Sequence, residues 1–471
     1  MSNVHVQIHL KKPDISEAQI AELSELLRIP SISADPGRDG DIRAAADWLV
    51  SLFSAAGAAV RLVERNGRPI VDALVRSGTT GAPLVLCYGH FDVQSPAPLE
   101  LWDSDPFTPE IRDGWLYARG VADDKGGTWA LARAAIDLAA AGELRVDVRF
   151  LLDCEEEIGG TSILDYLEET RGSAQACVIF DTPMLDDETP VLGVATRGTL
   201  YLHVEVRTGE RDLHSGAYGG AALNALHVLV DALARVLPRD GRLPDALQVG
   251  VVPPDASELA EWERLPGGGD QLAAQGAAPT DDAAGREFYL RTWALPSLDV
   301  NGIEGGSPVL QRTIVTSAAR ANLSMRLAPG QTVAKLLPIL QAELTRDAPA
   351  GAKIEVTHVA SCDPGSTPAD APALELASAA IERATGVRPL RLRGGGSLPI
   401  FPLLERLGIP VIATGFDVPS GNVHAPNERM RLENLGLALA SARELFLAFG
   451  ELNAHEVATT ADPPQTGTDG A

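Results

Sequence analysis

Three consecutive carboxylates, Glu155, Glu156 and Glu157, follow a short apolar stretch (Val148, Phe150, Leu151, Leu152) and precede the pair Gly159-Gly160. Like charges at the end of a buried strand repel one another, and a pair of metal ions is the strongest candidate for the compensating charge. The partners such ions need stand elsewhere: His90 and Asp92 in HFD, Asp123 and Asp124 in DDKGG, Asp181 in FDT, and His424 in NVHAP. All but His424 come just after apolar, strand-like runs, and the C-terminal strand ends of open α/β sheets are where sites are placed. His90 and Asp92 are two residues apart, so in extended chain they point the same way, and Asp92 can hold or polarise the imidazole. A helix N-cap accounts for one Asp of DDKGG and leaves a carboxylate that could bridge two metals. Within the glutamate triplet, one carboxylate would bind metal and a free neighbour would act as general base toward water. Imidazole and carboxylate donors without cysteine suit Zn2+, Mn2+ or Co2+, at two sites about 3.5–4 Å apart.

The elements that must position these groups show as periodicities. Residues 16–28 and 43–56 read as helices, and 59–63, 71–75, 84–88, 146–152 and 177–180 as strands apolar enough for burial on both faces. An alanine-rich helix at 127–141 lies between them, and the alternation predicts an α/β sheet covered by helices. Around Thr196 the pattern changes to a half-exposed strand at 200–206, a long helix at 221–237, strands at 323–327 and 354–359, and a helix at 333–346. This reads as a small α+β unit inserted into the larger domain. Inside it, 264–285 is rich in Gly and Ala and reads as a mobile loop. The α/β pattern returns with a helix at 373–385, a glycine turn at 394–397, a strand at 411–414 and a helix at 432–449. The expected domains are 1–197 with 366–455, carrying the metal centre, and 198–365, inserted; 456–471 is an expected disordered tail.

The chain has 471 residues, too many for one compact core, so two domains are expected. With 39 basic and 64 acidic residues its net charge is −25, which argues against nucleic acid or an anionic membrane as a partner. The four cysteines form no C-x-x-C pair and read as buried free thiols of a reducing compartment. No apolar run approaches the ~20 residues of a spanning helix. The opening MSNVHVQIHLKKPD has no apolar core before a cleavage site, so a soluble, cytoplasmic protein is expected.

In order along the chain stand HFDVQ, GVADDKGG, EEEIGG, FDT, RDLHSGAYGG, LPSLDVNGIEGG, SMRLAPGQT, GGGSLPI and GNVHAPNE. In these segments the chain resembles the M20 family of dinuclear metallopeptidases, from about residue 20 to 450. Its dipeptidase branch, with carnosinases and cytosolic non-specific dipeptidases, is the most similar. The resemblance implies a zinc-peptidase-like α/β catalytic domain with an inserted α+β lid and dimerisation domain. It implies that His90 and Asp181 bind one metal, that Glu157 and His424 bind the other, and that Asp123 bridges both. Glu156 would be the general base and Asp92 would orient His90, with a cis peptide bond after Asp123. His214 would reach into the partner subunit's active site and steady the oxyanion. Thr313 and Arg326 would contact the substrate's carboxylate end, and Gly396 and Ser397 would lie beside the substrate. The implied activity is metal-dependent hydrolysis of dipeptides or short peptides with a free C-terminal carboxylate, by a homodimer holding two divalent ions, Zn2+ before Mn2+ or Co2+. An N-acyl amino-acid deacylase or carbamoylase using the same site is the alternative. The chain departs from related dipeptidases where they carry a His-Gly-Gly type segment: it has Ser361-Cys362-Asp363-Pro364-Gly365 there.

Overall fold

The computed structural model describes residues 10–170 and 174–452, so the expected tail of 456–471 lies outside the described residues. The chain divides into two compact units. One comprises the residues up to Leu192, Pro368–Leu390 and the residues from Arg406 onward; the other comprises Gly193–Thr367 and Arg391–Glu405. Residues 391–405, assigned from the sequence to the catalytic domain, thus cluster with the second unit.

The first unit is built on a mixed sheet. Its strands run in the order Ala59–Arg65, Arg68–Val75, Asp147–Asp153, Leu84–His90, Ala176–Ile179 and Val411–Ala413. Val191–Ala195 and Leu390–Arg393 continue the order, and the boundary between the units falls within these two strands. The first two strands form an antiparallel hairpin, whereas Leu84–His90 pairs in parallel with both Asp147–Asp153 and Ala176–Ile179. Parallel central strands demand cover on both faces, which is why they read as continuous apolar runs. Helices Glu17–Leu27, Asp39–Ala55, Lys125–Ala140, Pro372–Thr385 and Leu432–Ala448 supply buried faces for that cover. Ser16 opens the first of them with a capping box closed by Gln19. A small antiparallel sheet, Arg429–Arg431 with Trp115–Tyr117 and Glu110–Arg112, ties the segment after His424 to the 110–117 hairpin. Arg429 and Arg431 both lie over the Trp115 ring, at 4.5 and 4.7 Å.

The second unit is a four-stranded antiparallel sheet, Ser297–Glu304, Ala318–Leu327, Gly198–Arg207 and Lys353–Cys362. Alternate residues of Gly198–Arg207 (Leu200, Leu202, Val204, Val206) share one core with Val228 and Leu229 of helix Ala225–Ala234 and Leu336 and Leu340 of helix Val333–Thr345. Two expectations change here. The long helix over 221–237 is confined to Ala225–Ala234, because Asn224 caps it by accepting from the Leu226 N–H. The region 264–285 is not a plain loop: it contains the helix Gly268–Ala274, and residues flanking the region form an aromatic cluster in which Trp262 lies 5.5 Å from Trp293. Among the described residues, no helix is long and apolar enough to cross a membrane.

Candidate metal centre

Because Leu84–His90 lies between two parallel neighbours, His90, the glutamate triplet and Asp181 all emerge at the same end of the sheet. Asp123 arrives from the other direction, just ahead of helix Lys125–Ala140. The helix start can approach the strand ends because Gly127 lacks a side chain; a Cβ there would collide with the Asp124 carboxylate and the Phe180 carbonyl. The peptide bond between Asp123 and Asp124 is cis. Asp124 does not cap the helix with its side chain; instead its Oδ2 accepts from Thr128 Oγ1 at 2.9 Å and the His90 N–H at 3.3 Å.

Two groups of donors result: His90, Asp123 and Asp181, and Asp123, Glu157 and His424. Within each, the donor atoms lie within 4.8 Å of one another. Asp123 divides its oxygens between them, Oδ1 lying 3.0 Å from His90 Nε2 and Oδ2 2.8 Å from His424 Nε2. Asp181 Oδ2 is 3.9 Å from His90 Nε2, and Glu157 Oε2 is 3.2 Å from His424 Nε2. His90 is fully buried. Its Nδ1 donates to the Asp92 carbonyl at 3.1 Å, with Asp92 Oδ1 3.4 Å away, which turns Nε2 toward the donors. That Nε2 has no hydrogen-bond partner among the described residues. A buried acceptor left without a donor is the vacancy that a metal–imidazole bond satisfies, so the residues present fit the group.

The electrostatics also call for added positive charge. Burial disfavours a charged His90, but Asp123 and Asp92 outweigh it and push the imidazole pKa well above its ordinary value. Accepting hydrogen bonds at Asp123 and Glu157 push His424 up to about 10. Burial, then the charge of Asp123, push Asp181 well above the usual carboxylate range. Glu156 is raised by burial; His90 opposes the shift, and Glu157, Asp123 and Asp92 add to it. The Glu156 carboxylate makes no hydrogen bond or ion pair among the described residues, the residue's backbone carbonyl accepting the Gly159 N–H at 2.9 Å, whereas Glu157 is fully engaged. Its N–H donates to Asp92 Oδ2 at 3.2 Å, and its carboxylate accepts from the Gln94 N–H at 3.1 Å and Gln94 Nε2 at 2.9 Å.

Several residues that hold this arrangement are absent from the sequence assignment. Glu428 is completely buried. Its Oε2 accepts from Arg119 Nη1 at 2.5 Å and the Gly120 N–H at 2.9 Å, and its Oε1 from the N–H groups of Ala122 at 2.9 Å and Asp123 at 3.3 Å. Arg119 also donates to the Ala425 carbonyl at 3.3 Å, so one buried ion pair clamps the Asp123 turn to the His424 loop. Asp153 accepts from the N–H groups of Cys154 at 2.7 Å and Glu155 at 3.1 Å, which turns the chain into the glutamate triplet. Gln94 and Glu428 stand inside HFDVQ and GNVHAPNE, so the motifs held the signal, but nothing in the spacing distinguishes a residue that hydrogen-bonds the backbone of the site from one on the surface.

The recognition candidates lie in the second unit in separate groups. His214 is exposed and accepts the Gly216 N–H at Nδ1, and the Thr313 carbonyl accepts the neighbouring Ser215 N–H. Arg326 is half-buried; its Nη1 donates to Thr199 Oγ1 at 2.7 Å and Ser397 Oγ at 3.0 Å, both uncharged acceptors. The Gly396 carbonyl accepts the Arg197 N–H. In the departing segment, Asp363 accepts the Val333 N–H at 2.7 Å at the start of helix Val333–Thr345.

A model described as Peptidase family M20/M25/M40 matches residues 86–448. The chain is 27% identical over 453 residues to the cysteinylglycine-S-conjugate dipeptidase of Corynebacterium striatum, covering 91% of this chain and 95% of that one. It is 28% identical over 445 residues to a Cys-Gly metallodipeptidase of Schizosaccharomyces pombe, covering 88% and 92%. Among solved structures it is similar to an M20 family metallo-carboxypeptidase of Sulfolobus solfataricus, with a TM-score of 0.81, 25% identity and coverage of 93% and 100%.

Proposed function

The chain belongs to peptidase family M20/M25/M40, and from that membership we propose that it is a dinuclear metal-dependent dipeptidase, hydrolysing the amide bond of dipeptides or short peptides that end in a free carboxylate. The observation that carries the reading is the division of Asp123, whose two oxygens face separate donor sets 3.0 and 2.8 Å away. Two relatives that match over most of their length are named as dipeptidases.

We assign His90, Asp123 and Asp181 to one divalent ion and Asp123, Glu157 and His424 to the other. Imidazole and carboxylate donors without thiolate favour zinc, with manganese or cobalt as substitutes. Bound there, such ions polarise a carbonyl and provide a nucleophile from water at neutral pH. The remaining work falls to side chains. Glu156, whose carboxylate has no hydrogen bond or ion pair among the described residues and is raised by burial, takes a proton on that carboxylate and returns it to the leaving amine nitrogen. Asp92 acts through His90, fixing the ring so that Nε2 stays an acceptor. Gln94 and Asp92 restrain Glu157, so that it serves as a ligand and its neighbour serves as the base.

To the second unit we assign substrate recognition and the subunit interface. Arg326 is suited to a substrate carboxylate because its present partners are hydroxyls, which leave its charge unneutralised. Thr313, Gly396, Ser397 and the partner subunit's copy of the His214 imidazole complete the assignment. A homodimer is supported by the edge strand Lys353–Cys362 with its exposed Val359, beside exposed Tyr201 on the adjacent strand. Four free cysteines, three of them buried, suit the cytoplasm.

The test is a substrate panel on zinc-reconstituted protein: free-acid dipeptides, their C-terminal amides, tripeptides and longer chains, and N-acetyl amino acids. Rapid turnover of free-acid dipeptides alone supports the reading. Turnover extending to long chains would indicate a carboxypeptidase, and equal cleavage of amides and free acids, or preference for N-acetyl amino acids, would indicate the deacylase.

A further inference from the structure

The second unit contains a cavity of about 280 Å³ whose walls are largely apolar, Leu243, Leu272 and Phe288 among them. Four charged residues also line it. Two are already satisfied: Arg242 pairs with Glu287 at 2.8 Å and Arg291 with Asp281 at 2.7 Å. The other two, Arg197 and Asp299, make no ion pair among the described residues. Arg197 spends its Nε on the Gly395 carbonyl at 3.0 Å and its Nη1 on Ser297 Oγ at 3.3 Å, both neutral acceptors. Burial, then the nearby charge of Arg326, pull its pKa down to about 10, and the charge of Asp299 offsets only part of that shift. The cavity therefore combines a cation and an exposed carboxylate that feel each other's charge without a direct ion pair, beside an apolar surface.

We propose that this cavity binds a single free apolar α-amino acid, its carboxylate on Arg197, its ammonium on Asp299 and its side chain against Leu243, Leu272 and Phe288. One zwitterion satisfies both charges at once, which a simple acid, an amine or a hydrocarbon would not. The volume lies at the lower edge of the ~300–1,000 Å³ usual for small-molecule sites, and so suits one residue better than a peptide. A dipeptidase releases free amino acids, so the reading of this cavity as a product site rests on the proposed function; the binding itself does not. Arg197 also reports inward. Its N–H and Nε hold the carbonyls of Gly396 and Gly395, in the turn whose Ser397 hydroxyl holds Arg326. Occupancy would thus be felt at the carboxylate-recognition group.

Isothermal titration of the zinc-loaded protein with L-leucine and L-phenylalanine tests the site, beside L-leucinamide and N-acetyl-L-leucine, each of which lacks one of the two charges. Saturable binding of the free amino acids is expected, with at least ~10-fold weaker binding of the two blocked forms. Leu272→Trp fills the cavity from the helix Gly268–Ala274 and should abolish binding while dipeptide turnover persists. Asp299→Asn should weaken binding about as much as N-acetylation does, and Arg326→Lys should leave it intact. Absence of saturable binding to the wild type overturns the proposal. So does binding that survives Leu272→Trp and disappears in Arg326→Lys, which would put the amino acid on the substrate's own carboxylate group. Binding without dipeptide turnover would support the site and sink the dipeptidase reading; turnover without binding would do the reverse.

Discussion

At the candidate metal centre, charged groups are held by other charged groups and by the backbone: Asp123 faces two imidazoles, and Glu428 gathers three N–H groups and Arg119. In the second unit, Arg326 rests on two hydroxyls and Arg197 on a carbonyl and a hydroxyl. The first arrangement fixes atoms in place at the cost of burying many ionisable groups. The second orients a guanidinium yet leaves its charge free for something that arrives from outside. Groups that must keep one geometry are over-determined, and groups that must bind and release are held by partners that do not neutralise them.

The sharpest test of this contrast is Glu156→Gln. Because its carboxylate has no hydrogen bond or ion pair among the described residues, the substitution should cost ~10²–10⁴ in turnover with both metals retained, read by steady-state rates and elemental analysis. Loss of metal along with turnover would make Glu156 a ligand and blur the distinction from Glu157. Glu428→Gln should weaken metal binding ~10–100-fold, measured by competition with a chelator, because one face of the amide would present N–H groups to donors it now accepts. An unchanged metal affinity would mean the Asp123 turn keeps its shape without the clamp. On the recognition side, Arg326→Lys should raise KM for free-acid dipeptides ~10–100-fold, as expected for loss of a charged hydrogen bond, with kcat and metal content little altered. The smallest effect concerns stability alone. Burial disfavours ionised Asp72, but hydrogen bonds from Arg149, Tyr166 and Arg61 outweigh it and hold its pKa below 3.8. A depressed folded pKa contributes stability that is complete above the unfolded value and is lost as pH falls through the folded one. Asp72→Asn should therefore cost about 1–3 kcal/mol at neutral pH and flatten the fall in stability below about pH 4, measured by urea unfolding across pH.

The candidate donors other than His424 were legible because they sit where an apolar run stops and a glycine or acidic cluster begins, so burial and chemistry share one boundary. Helix and strand cores were legible for the same reason; the strand at 84–88 extends only two residues further, to His90. Gln94, Arg119 and Glu428 were not, because polar residues in a loop read as surface until tertiary contacts bury them, and Glu428 reaches its partners from more than 300 residues away in sequence. The helix Gly268–Ala274 escaped notice for a different reason: glycine and alanine give no apolar stripe, and only the aromatic residues flanking it show that the region is packed.

The clamp also has a consequence for synthesis. Ribosomes add about 5–20 residues per second, so the stretch from Asp181 to His424 and Glu428 takes on the order of 10–50 s to appear. Throughout that interval the nascent protein carries His90, Asp123, Glu157 and Asp181 without the carboxylate that organises the Asp123 turn or the imidazole that completes the second donor set. On the proposed ligand assignment, only half of the dinuclear centre would have its full set of donors before the second unit has been made, so full metal loading would be a late event, and chains interrupted before Glu428 should leave the ribosome unable to retain two ions.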